Sequence, residues 1–204
     1  MSRIHPGRSS TEDVYEAVAL SLWRGGGKQV KSDTDPHDVP ILTTDRLRLR
    51  GWAEKDFAPY LALVTDPDRM RFVGSGAMTE QKARDEFQSM RSQWRTRGFG
   101  VFVIADLHGD NSLGFTGLWE SPLLEEPELS WSLFPGCDGA GYASEGAARV
   151  RDWAFLEKGI GPLMSLVHPE NHPSRRLAER LGASVEGEST WLGSPRLVYR
   201  HTTP

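Results

Sequence analysis

From Ile41 onward, apolar positions along the chain switch repeatedly between a period of two and a helical period. Leu47 to Trp52 (LRLRGW) alternates and predicts a strand, whereas Glu54 to Asp66 predicts a helix despite Pro59. Thr79 to Gly98 predicts a charged helix that stops at Gly98 and carries Ala83, Phe87, Met90 and Trp94 on one face. VFVIADL, LGFTGLWE and ELSWSLF follow as three strand-like runs joined by turns, of which HGDN is the clearest, so they predict an antiparallel meander. A long helix is expected from Gly141 to Lys158 and a strand from Leu163 to His168. PSRRLAERLG then reads as a helix stopped by Gly182, and SVEGEST and RLVYRHT as a closing pair of strands. The expected order is strand, two helices, three strands, helix, strand, helix, two strands. No internal repeat or low-complexity block is present.

Residues 1–40 differ in style. Ser10 is a plausible N-cap, and Val14, Val18 and Leu22 recur at helical spacing, which predicts a short amphipathic helix. It serves either as a lid on its own domain or as a dimer or partner contact. Gly25 to Pro40 is polar and broken by glycine and proline, as a linker would be. The sequence thus divides into an N-terminal helix plus linker, 1–40, and a globular domain, 41–204.

At 204 residues the chain can bury a real core. A net charge of -4 argues against a generic nucleic-acid binder, which would carry a basic stripe. With Cys137 as the only cysteine an internal disulfide is impossible, and the expected compartment is the reducing cytoplasm. The apolar stretch near the N-terminus is interrupted by Glu16 and too short to span a bilayer, so neither a signal peptide nor a membrane partner is expected.

The stretch that carries chemistry is LSWSLFPGCDGAGYASEGAARVRDWAF, Leu129 to Phe155. A helix starting after Gly141 would present unpaired N–H groups and a partial positive charge to an anion. Gly139 and Gly141 would let that anion approach the backbone closely. Ala143, Gly146, Ala147, Val150 and Ala154 form a small-residue face that can lie close to a sheet. An ordinary turn is the competing reading. A dinucleotide fingerprint is poorly matched, because Ser144 stands at its third glycine and PGCD separates the strand from the first. A P-loop fails because Lys28 is followed by Gln29.

ELSWSLFPGCDGAGYASEGAARVRDWAF, followed by SLVHPENHPSRRLAERLGA, resembles the acetyl-CoA-dependent N-acetyltransferases of the GNAT superfamily, in particular the RimJ/RimL-like branch. The likeness covers about Ile41 to Thr203. It implies an α/β (α+β) fold with a mixed, mostly antiparallel sheet of about seven strands and helices on both faces. It implies that acetyl-CoA is the co-substrate, an amine the acceptor, and a homodimer compatible with the family. By the resemblance, the N–H groups of Gly139, Ala140, Gly141, Tyr142 and Ala143 hold the diphosphate of CoA. Gly136 stands where the family usually has Gln or Arg. Ser132, Leu133 and Phe134 would offer backbone groups to the pantetheine arm in the gap between two splayed strands. Asn171 would bond the pantetheine amide, and Ser174 would lie near the sulfur. Ser174, or a water on it, would protonate the thiolate, since Ala178 stands where many relatives carry a tyrosine. Asn171 and Ser174 can equally serve as helix caps.

Acetyl transfer to an amine needs a neutral nucleophile, a polarised carbonyl and a proton for the leaving thiolate. Glu128, opening ELSWSLF, is the first candidate base because it matches a recurrent acid in this branch, with Glu120 the alternative. Either could instead be a solvated surface acid. His168 and His172 are four apart, but Pro169 and Pro173 forbid a continuous helix through them, so no metal site is expected. Cys137 has no obvious His and acid pair, although a helix N-terminus could lower its pKa. Asp66 to Met78 and Thr190 to Arg196 are expected to line the acceptor mouth. Met70, Phe72, Trp119, Trp131 and Trp191 would form an apolar wall there or belong to the core. A CoA-binding sensor without turnover is the second functional reading, supported by Ala178 and Gly136. A nicotinamide oxidoreductase lacks its glycine loop after an early strand.

Overall fold

The computed structural model describes residues 39–73, 76–121 and 124–204. The expected N-terminal helix lies outside the described residues. Eight strands form one sheet in the order β1-β2-β3-β4-β5-β6-β8-β7. They are β1 (Leu42–Thr43), β2 (Leu47–Arg50), β3 (Val101–Asp106), β4 (Ser112–Trp119), β5 (Glu128–Leu133), β6 (Leu163–Val167), β7 (Ser184–Trp191) and β8 (Ser194–His201). Every neighbouring pair is antiparallel except β5 and β6. The sequence led us to expect about seven strands; the additional one is the two-residue β1, too short to show a period of its own.

Among the described residues, five α-helices cover the sheet: α1 (Phe57–Val64), α2 (Pro67–Met70), α3 (Glu80–Arg97), α4 (Tyr142–Asp152) and α5 (His172–Arg180). The helix expected from Glu54 opens as a 3-10 turn, Glu54–Asp56, and becomes α-helical only at Phe57. Asp56 is fully buried there and accepts two guanidinium bonds from Arg50, at 2.7 and 2.9 Å. α2 was hidden in the expected mouth segment; Asp66 caps it by accepting from the N–H groups of Asp68 and Arg69. The helix expected to run to Lys158 is α-helical only to Asp152 and continues as a π-helical turn, Trp153–Glu157.

The two faces of the sheet bury different clusters. α1 and α3 pack their Tyr60, Phe87 and Met90 against Val101 and Val103 of β3, with Phe115 and Trp119 of β4 alongside. α4 packs Ala143, Ala147 and Val150 on the other face, against Phe102, Ile104, Leu118 and Leu129. α5 contributes Leu177 to that second cluster and sets Ala178 against Val167 and Tyr199. Gly146 makes the close approach of α4 work, since a Cβ there would come within 3.3 Å of both Ile104 and Thr116.

Candidate active site

The site is a break in the sheet. β5 and β6 run parallel, as expected for strands joined through a helix, but their register holds only at Glu128↔Met164. Beyond that point the ladder stops, and Ser130 to Leu133 leave β6 behind. Bonds beyond the ladder itself help join the strands at the root of the gap. Leu166 N–H donates to Oε1 of Glu128 at 3.2 Å, the Ser165 hydroxyl donates to the carbonyl of Leu129, and Met164 N–H donates to the carbonyl of Pro127 at 3.3 Å.

The register decides which side chains share the opening. Glu128, Ser130 and Ser132 face Trp119, Gly117 and Phe115 across β4, so they lie on the face covered by α1 and α3. Leu129 and Leu133 belong to the opposite cluster. Trp131 also packs on that opposite face, beside Val167 and Tyr199, which removes it from the expected acceptor wall. Met70 is buried in the core beneath α1 and α3 and is likewise no wall residue.

Glu128 sits in an environment suited to proton transfer. Burial pushes its pKa up to about 7; the Leu166 N–H and the charge of Arg196 pull in the other direction without cancelling the burial. Glu120, the alternative base, is engaged in an ion pair with Arg97.

The glycine turn has the geometry of an anion cradle. Gly136, Gly139 and Gly141 all take left-handed backbone angles, with φ of 85°, 85° and 82°. Gly141 is the N-cap of α4 and offers no side chain to its first turn. The N–H groups of Gly139, Ala140, Gly141, Tyr142 and Ala143 make no backbone bond among the described residues, whereas Glu145 N–H, two residues further on, bonds the carbonyl of Gly141. Such a row of donors at the N-terminus of an eleven-residue helix fits a diphosphate.

Two guanidinium groups flank this cradle, and sequence reasoning missed both. Arg46, just before β2, donates to the carbonyl of Ala140 at 3.0 Å and to Glu145 at 2.7 Å, and lies 5.0 Å from the centre of the Tyr142 ring. Arg180, at the end of α5, donates to Oγ of Ser144 at 3.1 Å. They supply cationic charge near a loop whose own entrance position is Gly136. No local signal marks either residue, because each reaches the loop from an element distant in sequence.

The remaining candidate residues find these partners. Phe134 spends both backbone groups inside the protein: its N–H on the carbonyl of Leu113 at 2.9 Å and its carbonyl on the N–H of Cys137 at 3.0 Å. The carbonyl of Leu133 accepts from Arg69 of α2 at 3.4 Å, and the same guanidinium pairs with Asp138 at 2.6 Å. Asn171 caps α5 by accepting from Ser174 N–H at 3.2 Å. Ala178 is buried against Val167 and Tyr199 and brings no hydroxyl to the gap. Cys137 is a free thiol whose pKa is raised, by burial and by Asp138, opposite to the lowering that a helix N-terminus would give. His168 stacks on Phe72 with ring centres 5.0 Å apart. Among the described residues, no group of three or more His, Cys, Asp and Glu side chains is placed to hold a metal ion. No helix among them is long and apolar enough to cross a membrane.

A parallel pair that parts in the middle of a mixed sheet, next to a glycine-rich cradle at a helix start, defines an acyl-CoA transferase architecture. Residues 46–184 match the acetyltransferase (GNAT) domain, and the chain belongs to that family. It is similar to an acetyltransferase from Agrobacterium tumefaciens str. C58: 32% identity, TM-score 0.74, covering 87% of this chain and all of that one. The uncharacterized N-acetyltransferase YnaD of Bacillus subtilis (strain 168) is 26% identical over 146 residues, 72% of this chain and 84% of that protein. The fold alone is shared with RimL, a ribosomal L7/L12 alpha-N-protein acetyltransferase solved with coenzyme A. That match is 15% identical with TM-score 0.66, over 80% of this chain and 98% of that one. The protein is therefore an N-acetyltransferase that uses acetyl-CoA.

Proposed function

We propose that this protein moves the acetyl group of acetyl-CoA directly to a primary amine, with Glu128 as the base, in the manner of the RimJ/RimL-like branch. The carrying observation is the position of Glu128 at the root of the β5/β6 gap, with its pKa raised to about 7. A carboxyl group poised near neutral pH can take a proton from an ammonium group and leave the amine free to attack.

The N–H groups of Gly139 to Ala143 hold the CoA diphosphate, with Arg46 and Arg180 adding charge. Ser132 and Leu133 offer backbone groups to the pantetheine arm along the unpaired edge of β5. The side-chain amide of Asn171, free on its nitrogen while its oxygen caps α5, donates toward the same arm. The amine nitrogen attacks the thioester carbon, the C–S bond breaks, and the thiolate leaves with a proton delivered by Ser174 or its water. The amine's second proton restores Ser174 or its water, and Glu128 releases to solvent the proton it took from the ammonium group. Products are an N-acetyl amide and CoA. Cytoplasmic residence accords with the free thiol of Cys137.

Calorimetric titration with acetyl-CoA, and with NAD as a control, tests the cradle; release of free CoA thiol with a panel of amines tests turnover. Binding of acetyl-CoA with turnover of at least one amine is the expected result. Absence of acetyl-CoA binding would sink the assignment of the cradle and the site together.

A further inference from the structure

Arg196 is a buried cation that no carboxylate touches among the described residues. Only 3% of its surface is exposed, yet it makes no ion pair with them. Its Nη1 donates to Oγ of Ser194 and to the carbonyl of Pro195, both at 2.8 Å, and both acceptors are neutral neighbours in the same hairpin. Nε and Nη2 have no hydrogen-bond partner among the described residues. Other partly or wholly buried arginines are treated differently: Arg50 holds Asp56 and Asp110, and Arg200, two pairs along β8, holds Glu126 and Glu186. A largely buried guanidinium without a carboxylate is costly, and Nε and Nη2 of Arg196, which are not sealed from solvent, remain as donors for an anion.

The register places this cation in the acceptor region. Glu128 accepts from Leu166 N–H, Leu166 pairs with Val198 on β8, and Arg196 stands two residues from Val198 on the same side of that strand. Val167 pairs with Leu197, so the next residue of the chain after β6, His168, lies beside Arg196, with Phe72 stacked on its ring. Glu128 and Arg196 feel one another's charge without touching. Two opposite charges on one face of the sheet, with the Phe72–His168 stack beside Arg196, match a ligand that carries both an amine and an acid.

We propose that Arg196 binds the carboxylate of an amino-acid acceptor whose amine faces Glu128, making free α-amino acids, rather than simple amines or amides, the preferred substrate class. The forked guanidinium suits a carboxylate, which can accept two parallel bonds from Nε and Nη2. The proposal rests on the reading of Glu128 given above.

The test compares leucine, phenylalanine and serine with their carboxamides and with isopentylamine, phenethylamine and ethanolamine, following CoA release. A charged hydrogen-bonded pair contributes a preference of roughly 10- to 100-fold. We expect kcat/KM for at least one acid to exceed that of its amide and amine by that factor, and Arg196→Gln to erase the difference. In parallel, N-acetylphenylalanine and N-acetylphenylalaninamide are titrated into the unsubstituted protein saturated with CoA, which needs neither turnover nor a variant. At least about tenfold tighter binding of the acid is expected. Equal turnover of acids, amides and amines would overturn the role of Arg196 and leave the acetyltransferase reading standing. Acid-selective product binding without any turnover would uphold Arg196 and sink Glu128. Product binding that ignores the carboxylate, or an Arg196→Gln variant that keeps the acid preference, would overturn the proposal.

Discussion

Leu166 of β6 donates its backbone N–H to Oε1 of Glu128 on β5 at 3.2 Å. A side chain thereby takes a donor that a continued parallel ladder would have used. The same carboxylate marks where the strands part and faces the space they leave. Structure and chemistry are joined at this residue, and its protonation state should govern both.

Activity should follow Glu128 ionisation. Its pKa is raised to about 7, so the group is protonated and inactive as a base below that pH and ionised above it. kcat/KM should climb through pH 7 to a plateau. Glu128→Gln should lower kcat by about 10²-fold or more and flatten that limb. A variant that keeps the limb would assign it to another group.

The cradle should fail without unfolding when a charge is placed in it. Gly141 has φ +82° and nearly open space at its Cβ position, with Arg46 3.6 Å away. Gly141→Glu puts a carboxylate in the proposed diphosphate site and strains a left-handed position by about 1 kcal/mol. Acetyl-CoA affinity should drop at least about 100-fold while circular dichroism stays unchanged.

Arg46 offers a milder perturbation of the same loop. It bonds both Ala140 and Glu145, so Arg46→Ala should loosen the turn and remove a nearby positive charge. Weaker acetyl-CoA binding, by about 3- to 10-fold and shrinking as salt is raised, is the expected reading by calorimetry. A salt-independent loss would point to loop geometry alone.

A buried histidine should make the fold acid-sensitive. The Ser165 hydroxyl spends its single hydrogen on the carbonyl of Leu129, so it accepts from Nε2 of His201 at 2.8 Å. That leaves Nδ1 of His201 buried without a partner, and burial together with Arg151 and Arg200 lowers the pKa to about 4. The unfolded chain takes up a proton near pH 6.5 that the folded protein refuses until about pH 4. Stability from this group is complete above pH 6.5 and is lost as pH falls to 4, on the order of 3 kcal/mol. Thermal unfolding across that window should show the drop, and His201→Gln should reduce it.

Much of the architecture was legible from hydrophobic period alone. Leu47 to Arg50, the three central strands and the face of α3 carrying Ala83, Phe87, Met90 and Trp94 follow the pattern because each buries one side against the sheet. The glycine turn was legible too, since a left-handed position before a helix strongly favours glycine over any residue with a Cβ. Boundaries were less so: the 3-10 start at Glu54 and the π turn after Asp152 depend on buried Asp56 and Trp153, which local spacing does not reveal.

The chain by itself determined which elements form, that a helix N-terminus with open backbone donors follows β5, and that a carboxylate opens that strand. Those are properties of neighbours in sequence, fixed by backbone sterics and burial period. Only the tertiary structure decided that β5 and β6 separate after one register pair, that Trp131 turns away from the cleft, and that Arg46, Arg180 and Arg196 arrive from distant elements. Their roles arise from charges and hydrogen bonds made across the sheet, and such contacts leave no trace in local spacing.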